Sequence, residues 1–301
     1  MASCRLCPRL CGADRAAGER GTCGMPAELV VARAALHPFE EPPISGTRGS
    51  GTVFFTGCGL GCVFCQNRAL RANSLEKPLG KVLDEAALAE LFVRLQDAGA
   101  HNINLVTATH YTDRVARALE HAKPQLHVPV IWNSSGYERV ETLRRLEGLV
   151  DVYLPDFKYH SPQVSKACAN APDYATVTTA ALVEMHRQVG AIAFDDDGML
   201  RGGVLVRHLV LPGYRQDSIA ALRALAETLP VGDVRLSLMR QYTPEFTPAD
   251  APRSLLRRVT SFEYECVLRE AMRLGFEGYF QQKESASAAF TPNFEDSGLL
   301  V

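Results

Sequence analysis

The sequence has little net charge, few lysines and no long apolar run, and each shortage excludes something. Basic and acidic side chains number 32 and 34, for a formal charge of -2. No global field therefore draws the chain onto nucleic acid or an anionic membrane, and a polyanionic partner would need a local patch. No stretch approaches the roughly 18 to 20 apolar residues of a membrane span. The first residues place cysteine and arginine where a secretory signal needs an apolar run. The expectation is a cytoplasmic protein with no nucleic-acid or membrane partner. Disorder is not expected, because 301 residues that are 47% hydrophobic suffice for a substantial core.

Cysteine is what the sequence has in excess. Of nine cysteines, seven lie within the first 65 residues at short spacings. In a reducing compartment that asymmetry favours metal ligands over disulfides. The other two, Cys168 and Cys266, fall in helical patterns and read as buried or incidental thiols.

Residues 1–50 read as a cysteine-rich appendage and connector: a cysteine cluster, an alternating piece at 29–36, then a Pro/Gly/Ser-rich stretch at 38–51. From Gly51 to residue 301, short β-branched runs alternate with longer helical patterns, the rhythm of βα units around a parallel sheet. Strands are expected at 52–56, 103–107, 128–133, 150–154, 204–211 and 234–239. The clearest helix is 84–98, where Ala87, Leu88, Leu91, Phe92 and Leu95 share a face, Asp84 caps the start and Gly99 the end. Further helical patterns run through 112–121, 137–146, 175–189, 218–228 and 255–274. Six strand-helix units make the fold class α/β, a partial (β/α)6 TIM-type barrel with a small N-terminal metal-binding appendage. Asp195 to Asp197, followed by Gly198, reads as a solvated turn rather than a metal loop.

Directly after the run TVFFT, Cys58, Cys62 and Cys65 form C-x3-C-x2-C with glycine at 57, 59 and 61. In parallel α/β barrels the strand's C-terminal end is where sites assemble, and glycines let backbone wrap closely around a bulky inorganic group. A cubane cluster usually takes four thiolates, so three leave one iron open to an exchangeable ligand. A zinc site completed by a distant cysteine or histidine is the alternative.

This loop, with Phe64 before its last cysteine, resembles the signature of the radical S-adenosylmethionine (SAM) superfamily. The stretches CRLCPRLCG, EPPISG, CVFCQN, NINLVTATHY, NSSGYE, YLPDFKY and RHLVLPG are similar to the pyruvate formate-lyase activating enzyme-like family. The resemblance implies a [4Fe-4S] cluster whose open iron chelates SAM, reductive cleavage of SAM, and hydrogen abstraction by the resulting 5'-deoxyadenosyl radical. It implies an electron donor such as flavodoxin or ferredoxin. Because the named relatives include activases, it also points to a glycyl-radical protein as substrate; a small molecule or a peptide is the alternative.

Around that loop, Phe64 and Asn67 are candidate SAM contacts, Phe64 beside the adenine. Where the superfamily usually has a Gly-Gly-Glu segment, this chain reads Thr107-Ala108-Thr109-His110. Thr107, Thr109 and His110 offer two hydroxyls and a ring nitrogen there, or else ordinary helix capping. Asn133 and Ser135 sit where a ribose or carboxylate is held, and are equally good helix caps. Asp156 and Lys158 resemble the Asp-x-Lys stretch of glycyl-radical activating enzymes, with Lys158 on a carboxylate; a solvated pair is the plainer reading. Arg207 and His208 resemble the fifth-strand segment of those enzymes, and strand alternation allows only one to point inward. Gln241 or Tyr242 is expected near the substrate side, Tyr242 rather as a core aromatic. No general acid or base is assigned.

Cys4, Cys7, Cys11 and Cys23 form C-x2-C-x3-C-x11-C, a complete set of four thiolates for a second [4Fe-4S] cluster or zinc. The non-enzymatic rivals, an iron-sulfur electron carrier and a zinc-stabilised binding module, need no SAM, so SAM binding separates them from the enzyme.

Overall fold

Short runs of Val, Ile and Leu become strands here because they are covered on both faces, as parallel strands must be. The computed structural model describes residues 3–71, 79–281 and 294. The strands are β1 (Leu29–His37), β2 (Ser50–Phe55), β3 (Lys81–Leu83), β4 (Ile103–Val106), β5 (Val130–Ser134), β6 (Val152–Pro155), β7 (Ala193–Phe194), β8 (Leu200–Leu209), β9 (Val234–Met239) and β10 (Gly278–Phe280). Helices α1 (Pro42–Ser45), α2 (Glu85–Asp97), α3 (Thr112–Ala122), α4 (Val140–Leu143), α5 (Pro162–Ala169), α6 (Tyr174–Val189), α7 (Arg215–Thr228) and α8 (Ser261–Arg273) connect them.

The sheet order is β10-β9-β8-β6-β5-β4-β2-β1-β3, with β7 on β8. Neighbours from β2 to β10 pair in parallel. All six expected strands are present, in a mixed α/β partial barrel, with β10 as a seventh parallel strand. Residues 29–37, read as part of the appendage, instead form β1, which pairs antiparallel with β2 and carries β3.

Alternation sets what each face does. Ile131, Val152, Leu154 and Leu205 pack on the inner face around Ile44 of α1, which fills the barrel from below. Trp132, Tyr153, Val204 and Val206 face the outer helices. Asp84 caps α2 by accepting from Ala87 N at 2.8 Å, as expected. The expected helix at 137–146 is reduced to α4 and a 3-10 turn, Arg144–Leu146. The reason is Gly136, at φ +72°, where a Cβ would lie 2.1 Å from the Asp156 carbonyl oxygen; the chain passes too close to β6 to begin a helix. The helix expected at 255–274 starts at Ser261, because Thr260 and Glu263 form a reciprocal capping box. Cys168 and Cys266 lie in helices, α5 and α8, as expected, and Cys168 is buried. Asp195 to Asp197 lie in the exposed turn between β7 and β8.

The turn out of β2 is equally constrained. Gly57 has φ +95°, and a Cβ there would fall 2.4 Å from Met25 Cγ and 2.9 Å from His110 Nε2. Gly57→Ala is expected to destabilise the protein by roughly 2 kcal/mol or more, strain and overlap combined. Denaturant unfolding checks this, and an unchanged midpoint would show that the turn is not fixed by its neighbours.

Candidate active site

Parallel strands deliver their C-terminal ends to one side of a sheet. That side holds a cavity of about 510 Å³, within the roughly 300–1,000 Å³ of small-molecule sites. Its wall takes residues from beyond every parallel strand: the loop cysteines after β2, Thr107 after β4, Ser135 after β5, Asp156 and Lys158 after β6, Leu209 at the end of β8, Gln241 after β9 and Gln281 after β10.

Cys58, Cys62 and Cys65 all line this cavity. Burial pushes the Cys62 thiol up and that of Cys65 to about 12, against the Lys158 charge that favours their ionisation. Thiols so placed ionise when a cation binds them, and three on one short loop are the donor set of an iron-sulfur cluster with one iron left to another ligand. Among the described residues no three His, Cys, Asp or Glu side chains converge as one ion requires. The fit to a cluster rests on the thiols and their cavity. The Tyr159 hydroxyl donates to Cys62 Sγ at 3.5 Å. Phe64 packs edge-on against Tyr159 and Tyr242, with ring centroids 6.5 and 5.6 Å apart. Gln66 Nε2 donates to the Gln241 carbonyl at 3.1 Å, tying the loop to the end of β9.

Two half-buried ion groups set the charge. Lys158 Nζ lies 2.6 Å from Asp156 Oδ2. Burial works against the Lys158 charge, but Asp156 and the loop thiols outweigh it and hold the ammonium above its ordinary pKa. Arg207 donates from Nε to Glu41 Oε1 at 2.8 Å and from Nη2 to Glu41 Oε2 at 2.5 Å, and also pairs with Glu40. Burial opposes ionisation of Glu41, yet the Arg207 charge keeps its carboxyl below the usual range. Asn104 Nδ2 donates to Glu40 Oε1 at 3.0 Å.

The structure thus gathers Phe64, Asn67, Thr107, Asn133, Ser135, Asp156, Lys158 and Arg207 with the three cysteines. Thr109, His110 and His208 do not line the cavity. Thr109 Oγ1 donates to Glu138 Oε1 at 2.6 Å. His110 Nε2 donates to the Thr56 carbonyl at 2.8 Å and His208 Nδ1 to the Phe157 carbonyl at 2.6 Å. Burial drives both imidazoles down, to about 3 and about 4, so they stay neutral. Each holds the backbone just before a site residue, Cys58 or Lys158. Of Arg207 and His208 it is Arg207 that points inward, on the face of Leu205. Tyr242 is buried in the core as expected, yet also borders the cavity.

Sequence reasoning missed Glu40, Glu41, Ser237 and Tyr279, which also line the cavity. Two adjacent acids before Pro42-Pro43 were the signal for the first two. Also missed was Tyr174, whose buried hydroxyl lies 2.7 Å from the Ser135 carbonyl and 3.0 Å from that of Asp156, and accepts from Lys158 N at 3.0 Å. It fixes the ends of β5 and β6 against each other.

No protein-family model matches the chain. It is 26% identical over 280 residues to an uncharacterized protein of Methanocaldococcus jannaschii, covering 91% of this chain and 76% of that one. A solved radical SAM methyltransferase from Sphaerobacter thermophilus superposes with a TM-score of 0.51 at 16% identity, over 77% of this chain and 66% of that one. Methylornithine synthase, PylB, gives a TM-score of 0.48 at 15% identity, over 73% and 60%. The chain therefore spans 66% and 60% of the lengths of these two structures. The likeness to the methyltransferase shows the fold alone, a partial α/β barrel.

Removing one member of a buried ion group leaves charge uncompensated, so Arg207→Ala is expected to cost about 3–5 kcal/mol. Arg207→Lys should recover part of that, lacking only the two-pronged contact with Glu41. Denaturant midpoints of the two variants decide it; equal, small losses would sink the idea.

Glu138 supplies a pH-dependent counterpart. Burial pushes its carboxyl up to about 7, more than the Thr109 and Trp132 donors pull it down. The folded state then keeps a proton that the unfolded state releases, so this group costs stability progressively as pH rises from about 4.5 to about 7. The full difference is about 3 kcal/mol. Glu138→Gln removes the cost, and its stability relative to wild type should climb across that window and level off above it. A pH series of unfolding curves with no such divergence would refute the assignment.

Proposed function

We propose that this chain is a radical SAM enzyme acting on a small molecule or a single side chain. The observation that carries the reading is the placing of three thiols of one loop, Cys58, Cys62 and Cys65, on the wall of a cavity at the C-terminal face of a radical SAM-type sheet. Cys58, Cys62 and Cys65 would hold a [4Fe-4S] cluster with one iron free of protein ligands, which would supply the electron for reductive cleavage of SAM and so the means of abstracting a hydrogen atom from the substrate.

The protein's own part is to bind, orient and exclude water. Arg207 is already neutralised by Glu40 and Glu41. Lys158, beside the thiols, is the better partner for the SAM carboxylate, with Asp156 keeping it charged and Tyr174 fixing its backbone. Asn133, Ser135 and Thr107 offer polar groups from neighbouring strands for the sugar, and Phe64 gives the adenine an aromatic edge. Glu40, shared between Arg207 and Asn104, places an acceptor on the opposite wall for substrate hydroxyl or ammonium hydrogens. A one-electron donor of the flavodoxin or ferredoxin kind would serve this chemistry. Activation of a glycyl-radical protein draws no support from the relatives found.

Anaerobically reconstituted, chemically reduced protein is expected to release 5'-deoxyadenosine from SAM, and Cys62→Ala protein, checked for fold by circular dichroism, to release none. Fully iron-loaded wild-type protein that neither binds nor cleaves SAM would leave a cluster protein of another kind.

A further inference from the structure

The cavity uses three of the seven N-terminal cysteines; the other four are also brought together. Backbone hydrogen bonds from Cys4 N to the Ala13 carbonyl (3.0 Å), Gly12 N to the Cys4 carbonyl (3.2 Å) and Leu10 N to the Cys7 carbonyl (3.1 Å) fold residues 4–13 into a knuckle. Gly21 returns the chain to it: a Cβ at this position would lie 3.1 Å from Cys11 Sγ and 3.5 Å from Cys23 Sγ. Cys4 is hydrogen-bonded with Cys11 and lies near Cys7 and Cys23. All four are free thiols.

The knuckle sits on the loop that carries Cys58. Cys58 N donates to the Cys23 carbonyl at 3.3 Å. Cys7 Sγ lies 3.3 Å from where a Cβ on Gly59 would be. Arg9, between Cys7 and Cys11, donates to the carbonyls of Gly59 at 2.9 Å, Leu60 at 3.0 Å and Ala169 at 2.7 Å. From the other side Arg15 reaches the His110 carbonyl at 2.6 Å. Cys7 and Cys23 are buried in this contact, while Cys11 is exposed.

We propose that Cys4, Cys7, Cys11 and Cys23 hold a second iron-sulfur cluster, seated against the loop of the first. Four thiols gathered without disulfides are a metal-ligand set, and the choice is between zinc and iron-sulfur. Structural zinc draws its four donors to one centre at about 2.3 Å. A cubane distributes its thiolates over separate irons and leaves them further apart. Here the thiols are gathered by the knuckle, and Cys7 and Cys23 are buried against the loop that carries Cys58, a seat from which a cluster, unlike zinc, can pass electrons to the first site.

The test removes the first site. With Cys58, Cys62 and Cys65 all changed to alanine, anaerobically reconstituted protein is expected to retain about four irons and four sulfides per chain. The result is independent of whether the loop cluster uses SAM. About one zinc, or no metal at all, in a variant that keeps its circular-dichroism spectrum overturns the proposal. If the triple variant does not fold, Cys11→Ser at the exposed thiol replaces it: iron should fall from about eight to about four per chain. Wild-type protein that holds only about four irons, with zinc or without it, overturns the proposal too.

Discussion

The backbone from Thr56 to Cys58 is the constraint on which the rest of the site depends. Its groups are committed in several directions at once: the Thr56 carbonyl to His110, Gly57 N to the Leu70 carbonyl, and Cys58 N to the Cys23 carbonyl. Only a residue without a Cβ leaves room there for Met25 and the His110 ring. A buried backbone group that lost its partner would cost about 1–3 kcal/mol. The loop is therefore held by β2 on one side, α3's entry on another and the N-terminal knuckle on a third. The cavity inherits its first wall from that arrangement.

The opposite wall solves a different problem, how to keep five charges in a place poor in water. Asp156 with Lys158, and Arg207 with Glu40 and Glu41, form two closed groups. Burying such groups seldom adds net stability, since desolvation offsets the attraction. What they add is position. A guanidinium bound on two sides by carboxylates cannot swing toward a ligand, whereas an ammonium with one carboxylate partner still has donors to offer. The two cations in the cavity are thus not equivalent.

Much of this was legible in the sequence, and most of the illegible part has a common cause. Strands, the best helix and both cysteine sets follow from local patterns: short β-branched runs, a capped amphipathic stretch, fixed spacings. Glu40 and Glu41 were read as part of a connector because nothing local says that a Pro-rich segment will rise inside a barrel and meet Arg207 of β8. His110 and His208 were placed in the site by sequence neighbourhood, yet each turns outward to satisfy a carbonyl. The 137–146 helix failed because of a contact between Gly136 and Asp156, which are far apart in the chain. These misses are long-range contacts overriding a local preference, whereas the late start of α8 is local, set by the Thr260–Glu263 capping box.

The same long-range contacts explain why neutral groups surround a site built for ions. His110, His208 and, at low pH, Glu138 are uncharged because burial outweighs every partner they have. Tyr159 and Tyr174, wholly buried, keep their protons for the same reason and spend their hydroxyls on Cys62 Sγ and on the ends of β5 and β6. A shell of neutral donors around a small set of fixed charges keeps the local dielectric low, so the charges that remain act strongly on whatever enters. Rigidity and electrostatic strength at this site therefore have one origin, the aromatic and imidazole packing behind the loop.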